Sequence, residues 1–281
     1  MSSTIFAEVK ITLTVHSQVS RVEATTMSLP PPYYSHDGIS IYHGDCRVIL
    51  PLLPTADIDL VATDPAYESL RRWEGIGTTA RMGMGKKGTP ADSPEKFFQT
   101  IPNEDLSDLI QETHRLLKPS THAYFMCDFE TLKLLHCFAI EEGIFSPVGY
   151  GGMFEACKPL IWDKIAPGLG YTYRATYEFI FLLWKGPTKR PLNNLGISDI
   201  LRFKKIAGNA KTVPTQKPLE LFKLLISQSS CENEVVLDPF MGSGTTLVAA
   251  KHLRRKAIGI EIEEKYCALA VKRLSQEVFD F

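Results

Sequence analysis

The sequence predicts a doubly wound α/β fold on a seven-stranded, mainly parallel sheet. Two observations carry that expectation. Short apolar runs alternate with helical patterns from Ile39 almost to the C-terminus, and several runs end in a carboxylate: Asp45, Asp64, Asp238 and Glu261. Strands that each feed a helix and return parallel make such a sheet, and its ligands lie beyond the carboxyl ends of the strands.

In chain order, strands are expected at 39–42, 58–62, 123–127, 159–162, 179–184, 235–237 and 257–260, each a short apolar run bounded by turn residues. Helices are expected at 107–117, 130–142, 218–228, 245–253 and 264–277, where apolar residues recur at helical spacing. The runs at 159–162 and 179–184 are separated by a glycine-rich turn with no helix, so they read as an antiparallel hairpin at one edge, with one strand reversed. Residues 1–35 read as a partly disordered N-terminal extension. Ile11–Val15 alternates as a strand can, but Ser28-Leu29-Pro30-Pro31-Pro32 breaks regular structure, and Met27 would serve as a start for the remainder. Residues 36–281 then form a single domain.

Two basic stretches fit no element. The first, 68–100, carries Arg71, Arg72, Arg81, Lys86 and Lys87; the second, 186–214, carries Lys189, Arg190, Arg202, Lys204, Lys205 and Lys211 against Asp199 alone. Loops this long in a compact domain are usually functional or disordered. The formal net charge of -1 gives no global attraction to nucleic acid, so any such contact rests on these patches. Six cysteines stand without a C-x-x-C pair, which implies reduced thiols and no structural metal. The longest wholly apolar stretch, around 179–184, is too short to cross a bilayer, and the N-terminus lacks a signal peptide's regions. A cytoplasmic chain with no membrane contact is expected.

The stretch VVLDPFMGSGTTLVAA, 235–250, carries most of the functional information. A strand ends in Asp238, a tight turn carries Gly242 and Gly244, and a helix opens at Thr245. The glycines allow the backbone to approach a ligand and point helix N–H groups at it. Glu261 ends the next strand, at the distance where an acidic residue accepts ribose hydroxyls. A dinucleotide fits poorly, because a third glycine is missing and Asp238 would repel a pyrophosphate; a cationic amino-acid ligand suits the carboxylate better. The stretch GMGKKG, 83–88, is not a phosphate loop, since no Ser or Thr follows its lysines and no strand leads in.

Asp64-Pro65-Ala66-Tyr67 ends the strand at 58–62. With Phe240-Met241-Gly242-Ser243-Gly244, with Thr215-Gln216-Lys217-Pro218 and with Tyr177-Glu178 in the reversed hairpin, it resembles the amino-group DNA methyltransferases, whose motifs are D-P-P-Y and F-x-G-x-G. The order, catalytic motif first, is similar to the circularly permuted beta class. The resemblance covers about residues 37–278. It implies that the strand at 235–237 is the family's first, 257–260 its second, 39–42 its third and 58–62 its fourth.

The resemblance also implies roles. Asp64 and the Pro65 carbonyl would accept the hydrogens of an exocyclic amine, and Tyr67 would stack on an extruded base. Ala66 departs from the family's second proline and loses some backbone rigidity. S-adenosylmethionine would be held by Asp238, Phe240, Gly242, Ser243, Gly244 and Thr245, with Glu261 on the ribose, Asp45 on the adenine amine, and Thr215, Gln216 and Lys217 closing over the amino-acid end. The partner is double-stranded DNA, met by the two basic stretches, with 186–214 as a short target-recognition segment. A homodimer and a restriction endonuclease partner are both compatible with the family. The implied activity is adenine N6 methylation. Alternatives are cytosine N4 methylation, which the family more often marks with Ser in place of Asp64, and an inactive nucleic-acid-binding relative.

Overall fold

The computed structural model describes residues 28–68, 100–141, 154–167, 173–186, 188, 190–207 and 216–276. Its elements are strands β1 (Tyr34–His36) and β2 (Ile39–His43), helix α1 (Cys46–Ile49), β3 (Ile58–Thr63), α2 (Leu106–Leu116), β4 (Leu117–Cys127), α3 (Phe129–Glu141), β5 (Phe154–Asp163), β6 (Tyr177–Lys185), β7 (Ile200–Arg202), α4 (Leu219–Ser229), β8 (Val235–Asp238), α5 (Thr245–His252), β9 (Lys256–Glu261) and α6 (Glu264–Leu274).

All seven expected strands and all five expected helices are present, but among the described residues the sheet has nine strands, not seven. Its order is β1-β2-β9-β8-β3-β4-β6-β5-β7. The strands at 39–43, 256–261, 235–238 and 58–63 lie side by side in that order, as the permutation implies. Two further corrections follow. The β5–β6 hairpin does not form the edge, because β7 pairs with β5 in parallel beyond it. Two strands are reversed: β6 runs antiparallel to β4 and β5, and β1 antiparallel to β2. Arg202 therefore lies on a strand, inside a segment expected to have none, and β1 straddles the boundary drawn at residue 35. The possible strand at Ile11–Val15 lies outside the described residues.

Burial explains these elements. All six residues of β3 are buried, as expected for a central parallel strand covered on both faces. In α2, Leu106, Leu109, Ile110, Thr113 and Leu116 make one buried stripe, and Leu106 and Ile110 are fully enclosed. At the amino end of β3, Asp59 accepts both a Lys118 ammonium and the Val235 N–H, tying β3 to β4 and β8. The connection after β8 runs through α5 to β9 on one side, and the connection after β3 runs through α2 to β4 on the other. The strand order thus reverses between β8 and β3, and the crevice at their carboxyl ends is where such sheets bind ligands.

Candidate active site

Asp64 follows β3 and Asp238 ends β8, so these two neighbouring strands bring two carboxylates to the mouth of the crevice. A cleft opens there, lined by Asp64, Gln216, Lys217, Asp238, Phe240, Gly242, Ser243, Thr245 and Tyr266. A second hollow lies between α1 and α2 on the flank, against Cys46, Arg47 and Leu109. Neither Asp64 nor Asp238 lines it, so the site is assigned to the cleft at the strand ends.

Asp238 is held by neutral donors. Its Oδ1 accepts the Thr63 hydroxyl at 2.7 Å and the Phe240 N–H at 3.0 Å, and its Oδ2 accepts the Thr246 hydroxyl at 2.5 Å. Burial pushes its carboxyl up to about 6, against the pull of those hydrogen bonds. Thr63 and Thr246 were not expected in the site; a threonine ending a strand or opening a helix carries no distinguishing pattern.

The glycine turn after it divides its work. Gly242 has φ +50, and a Cβ there would meet nothing within 4 Å, so the backbone borders open space. Gly244 has φ +77 and precedes α5; a Cβ there would come within 2.8 Å of the Ala270 Cβ, so its task is close packing on α6. Ser243 lines the cleft with its polar atoms already engaged: Arg273 donates to its carbonyl at 2.6 Å and its hydroxyl at 2.9 Å, and also to the Thr245 hydroxyl at 3.2 Å. Sequence reasoning missed Arg273, which fastens the turn to α6.

Glu261 reaches back across the turn and accepts the Gly242 N–H at 3.0 Å and the Glu263 N–H at 2.9 Å. Burial raises its carboxyl while those bonds oppose the rise. Asp45 caps α1 by accepting the Arg47 N–H, and both its oxygens take the Arg47 guanidinium, which also reaches Asp105 at 2.6 Å. Its carboxyl is lowered chiefly by that pairing. An adenine amine would have to share Asp45 with Arg47.

The Asp64 end of the cleft differs from expectation in two ways. Tyr67 is only 3 % exposed and belongs to the core cluster that includes Ile101 and Leu106, and its hydroxyl is buried without a partner among the described residues. Its ring therefore has no face open to solvent here. The Pro65 carbonyl accepts the Tyr67 N–H at 3.0 Å, and the Ala66 carbonyl accepts the Ile101 N–H at 2.8 Å, so the backbone at Ala66 is fixed without a second proline. Lys217, expected on the cofactor, instead donates to Asp64 Oδ2 at 2.5 Å and lies 3.3 Å from Glu178 Oε2.

These features match a known family. A family model described as DNA methylase, for N6 and N4 amines, matches residues 58–272. The chain belongs to the DNA methylase family. The methylase is similar to the DNA adenine methyltransferase YhdJ of Escherichia coli K12, at 26% identity over 271 residues, 87% of this chain and 85% of YhdJ. Similarity to the type II methyltransferase M.HinfI of Haemophilus influenzae is 29% over 251 residues, 84% of this chain and 68% of that one. Among solved structures, M1.HpyAVI in complex with SAM aligns with a TM-score of 0.59 at 28% identity, over 84% of this chain and 98% of that one. The cytosine-N4-specific PvuII methyltransferase aligns with a TM-score of 0.62 at 16% identity, a likeness of fold alone.

S-adenosylmethionine is the cofactor of the family, and the cleft fits it. A buried anion at Asp238 suits a cationic ligand, the space beside Gly242 admits one against the backbone, and Phe240 and Tyr266 offer apolar walls.

The basic residues of the methylase divide unevenly. Arg190 pairs with Glu234 at 2.7 Å and keeps 20 % of its side-chain surface, so its guanidinium is already engaged within the fold. Arg202 is 75 % exposed and Lys204 is also exposed, while Lys205 donates to the Pro167 carbonyl. Arg71, Arg72, Arg81, Lys86, Lys87, Lys189, Lys211 and Thr215 lie outside the described residues. No helix among the described residues is long and apolar enough to cross a membrane.

Proposed function

We propose that the methylase transfers the methyl group of S-adenosylmethionine to the N6 amine of an adenine turned out of double-stranded DNA. The observation that supports this most directly is the pair of carboxylates, half-buried Asp64 and buried Asp238, at the ends of adjacent parallel strands and facing one cleft. Bound in the cleft, S-adenosylmethionine supplies an electrophilic methyl on a sulfonium. Asp238 would take its cationic amino-acid end, Gly242 would let the backbone lie against it, Glu261 and Asp45 would accept from ribose and adenine, and Gln216 with Thr215 would cover it.

Asp64 and the Pro65 carbonyl do the work on the substrate. The exocyclic amine is a poor nucleophile because its lone pair is delocalised into the ring. Two acceptors, one for each hydrogen, turn the nitrogen towards sp³ and free that pair. The Pro65 carbonyl keeps a lone pair beyond the one given to Tyr67. Burial raises the Asp64 carboxyl, which strengthens it as an acceptor while geometry decides its role. Turning the base out costs a few kcal/mol, and stacking on Tyr67 returns roughly 1–3 kcal/mol once the ring is uncovered. Most of the rate then comes from positioning.

In this reading residues 36–281 act as one methyltransferase domain, and 186–214 is a short target-recognition segment carrying Arg202 and Lys204 to phosphates. So short a segment implies a simple recognition site; mapping modified bases in DNA from expressing cells checks it, and a long asymmetric site would sink it.

Tritiated S-adenosylmethionine with unmethylated DNA, followed by nucleoside separation, tests the reaction. Label in N6-methyladenine that vanishes with Asp64→Ala is the expected result. Label in N4-methylcytosine overturns the choice of base, and no label on any DNA overturns the activity.

A further inference from the structure

Four charged side chains from separate parts of the chain form one connected row beneath the cleft. Lys164, just after β5, lies 2.9 Å from Glu178 Oε1; Glu178, on β6, lies 3.3 Å from Lys217 through Oε2; Lys217 lies 2.5 Å from Asp64 Oδ2. None is a surface pair. Lys164 and Lys217 keep 14 % and 15 % of their side-chain surface, and Asp64 and Glu178 about a quarter to a third. Protein surrounds Asp64 closely even though part of its carboxylate opens into the cleft. Two ammoniums and two carboxylates alternate, so the row is neutral overall.

The topology accounts for the convergence. Because β6 runs against its neighbours, its first residues arrive at the carboxyl edge of the sheet, where β5 has just ended, and Lys164 N–H donates to the Thr176 carbonyl to close the hairpin there. Lys217 stands two residues before α4, and Pro218, the N-cap, has φ -61 and an extended ψ. The proline fixes that turn of the chain before the helix starts. A lysine at this point carries three donors on a flexible stem, enough to hold two carboxylates from one ammonium.

We propose that Lys217 is a positioning residue for Asp64, holding its carboxylate ionised and aimed at the amine, and that Glu178 and Lys164 adjust that hold through Lys217. The proposal rests on the assignment of Asp64 as the acceptor of the amine. It replaces the expected contact of Lys217 with the cofactor's amino-acid end, since the ammonium is already shared between two carboxylates.

The charges around Asp64 make the proposal directional. Lys217 and Lys164 favour its ionised form; Glu178 disfavours it, and so does burial, the largest influence. Asp238 faces it from β8, and Tyr67, Cys127 and Asp128 stand on the β3–β4 side. Burial alone would lower the Lys217 ammonium, yet the carboxylates of Asp64 and Glu178 outweigh it and raise it. Lys217 therefore remains charged wherever Asp64 is ionised. A row that merely fastens β3, the hairpin and α4 together would lose stability when any member is removed, with no particular sign at Asp64.

The test reads Asp64 directly. Carboxyl ¹³C NMR titration of the full chain with labelled aspartate, assigned by the signal missing from Asp64→Asn, gives the midpoint without any turnover. Lys217→Met is expected to move it up by roughly 1–3 pH units, the size of losing an opposite charge at contact distance. Glu178→Gln is expected to move it down, Lys164→Met to move it up by less, and Lys217→Arg to leave it near wild type. The acid limb of the kcat profile should move with each. A midpoint that stays put in both Lys217→Met and Glu178→Gln, or moves the same way in both, overturns the proposal. If Lys217→Met fails to fold, Glu178→Gln and Lys164→Met still carry opposite signs. A wild-type chain that methylates no DNA would overturn the proposed function, while the titration would still decide the proposal about the row.

Discussion

Asp64 and Asp238 are the same residue type on adjacent parallel strands, joined through Thr63, which precedes one and donates to the other. Their partners differ in kind, and Asp64 keeps 25 % of its side-chain surface where Asp238 is 3 % exposed. Asp64 meets an ammonium, whereas Asp238 meets two hydroxyls and a backbone N–H. A carboxylate already neutralised by a lysine has little charge left to attract a cation, but it can still accept a hydrogen from a neutral amine. A carboxylate held by neutral donors keeps its negative charge for a cationic ligand, and burial makes it dependent on one. One edge of the sheet thus prepares an acceptor and an anion side by side, and the difference lies in the partners.

Exchanging the losses separates the two. Asp64→Ala should cut kcat by about 10²–10⁴-fold, the span expected for a lost proton-handling group, while S-adenosylmethionine still binds. Asp238→Ala should instead raise the Kd for S-adenosylmethionine about 10–100-fold, as for a lost hydrogen bond to a charged group. Equilibrium dialysis beside single-turnover kinetics reads both. Equal losses of binding in the two variants would break the comparison.

Acid should separate them next. With its carboxyl at about 6, Asp238 is protonated as pH falls through that value. Cofactor affinity should then weaken below about pH 6, approaching tenfold per unit. The free protein moves the other way. A folded-state value raised above the unfolded 3.8 means that the stabilising contribution is complete below about pH 4 and is lost as pH rises through about 6. Thermal melting with and without S-adenosylmethionine across that window checks both signs; a Kd independent of pH would show that Asp238 does not bind as an anion.

What was legible in the sequence follows the range of the interactions. β3, β8 and β9 were legible because each is an apolar run with turn residues at its end. β1 and β7 were not: Tyr-Ser-His and Ile-Leu-Arg are three residues long at the sheet edges, too short to show a period and half polar. The glycine turn and Asp64-Pro65 were legible because their chemistry is local, set by φ at Gly242 and Gly244 and by a strand end. The row from Lys164 to Asp64 was not, since its members meet only after β6 reverses; Glu178 stood out within a motif, but nothing along the chain joins it to Lys217. Charge counting also does not show that the Arg190 guanidinium is engaged by Glu234, 44 residues on. Burial, not sequence position, separates it from Arg202.

The smallest expected effect sharpens the comparison most. Thr63→Val and Thr246→Val each remove one neutral donor from Asp238 at nearly constant shape, without touching a charge. Each hydroxyl favours the ionised form, so its loss should move the Asp238 midpoint further above about 6 and carry the acid loss of cofactor affinity with it. At a pH where wild-type Asp238 is ionised, the affinity cost should be a few-fold, the worth of a net hydrogen bond of about 1 kcal/mol. Asp64, whose ionisation answers to Lys217 and Glu178, should keep its own titration in both variants. If the Asp64 midpoint moved as far as that of Asp238, the two carboxylates would be titrating as one coupled pair, and the division between acceptor and anion would fail.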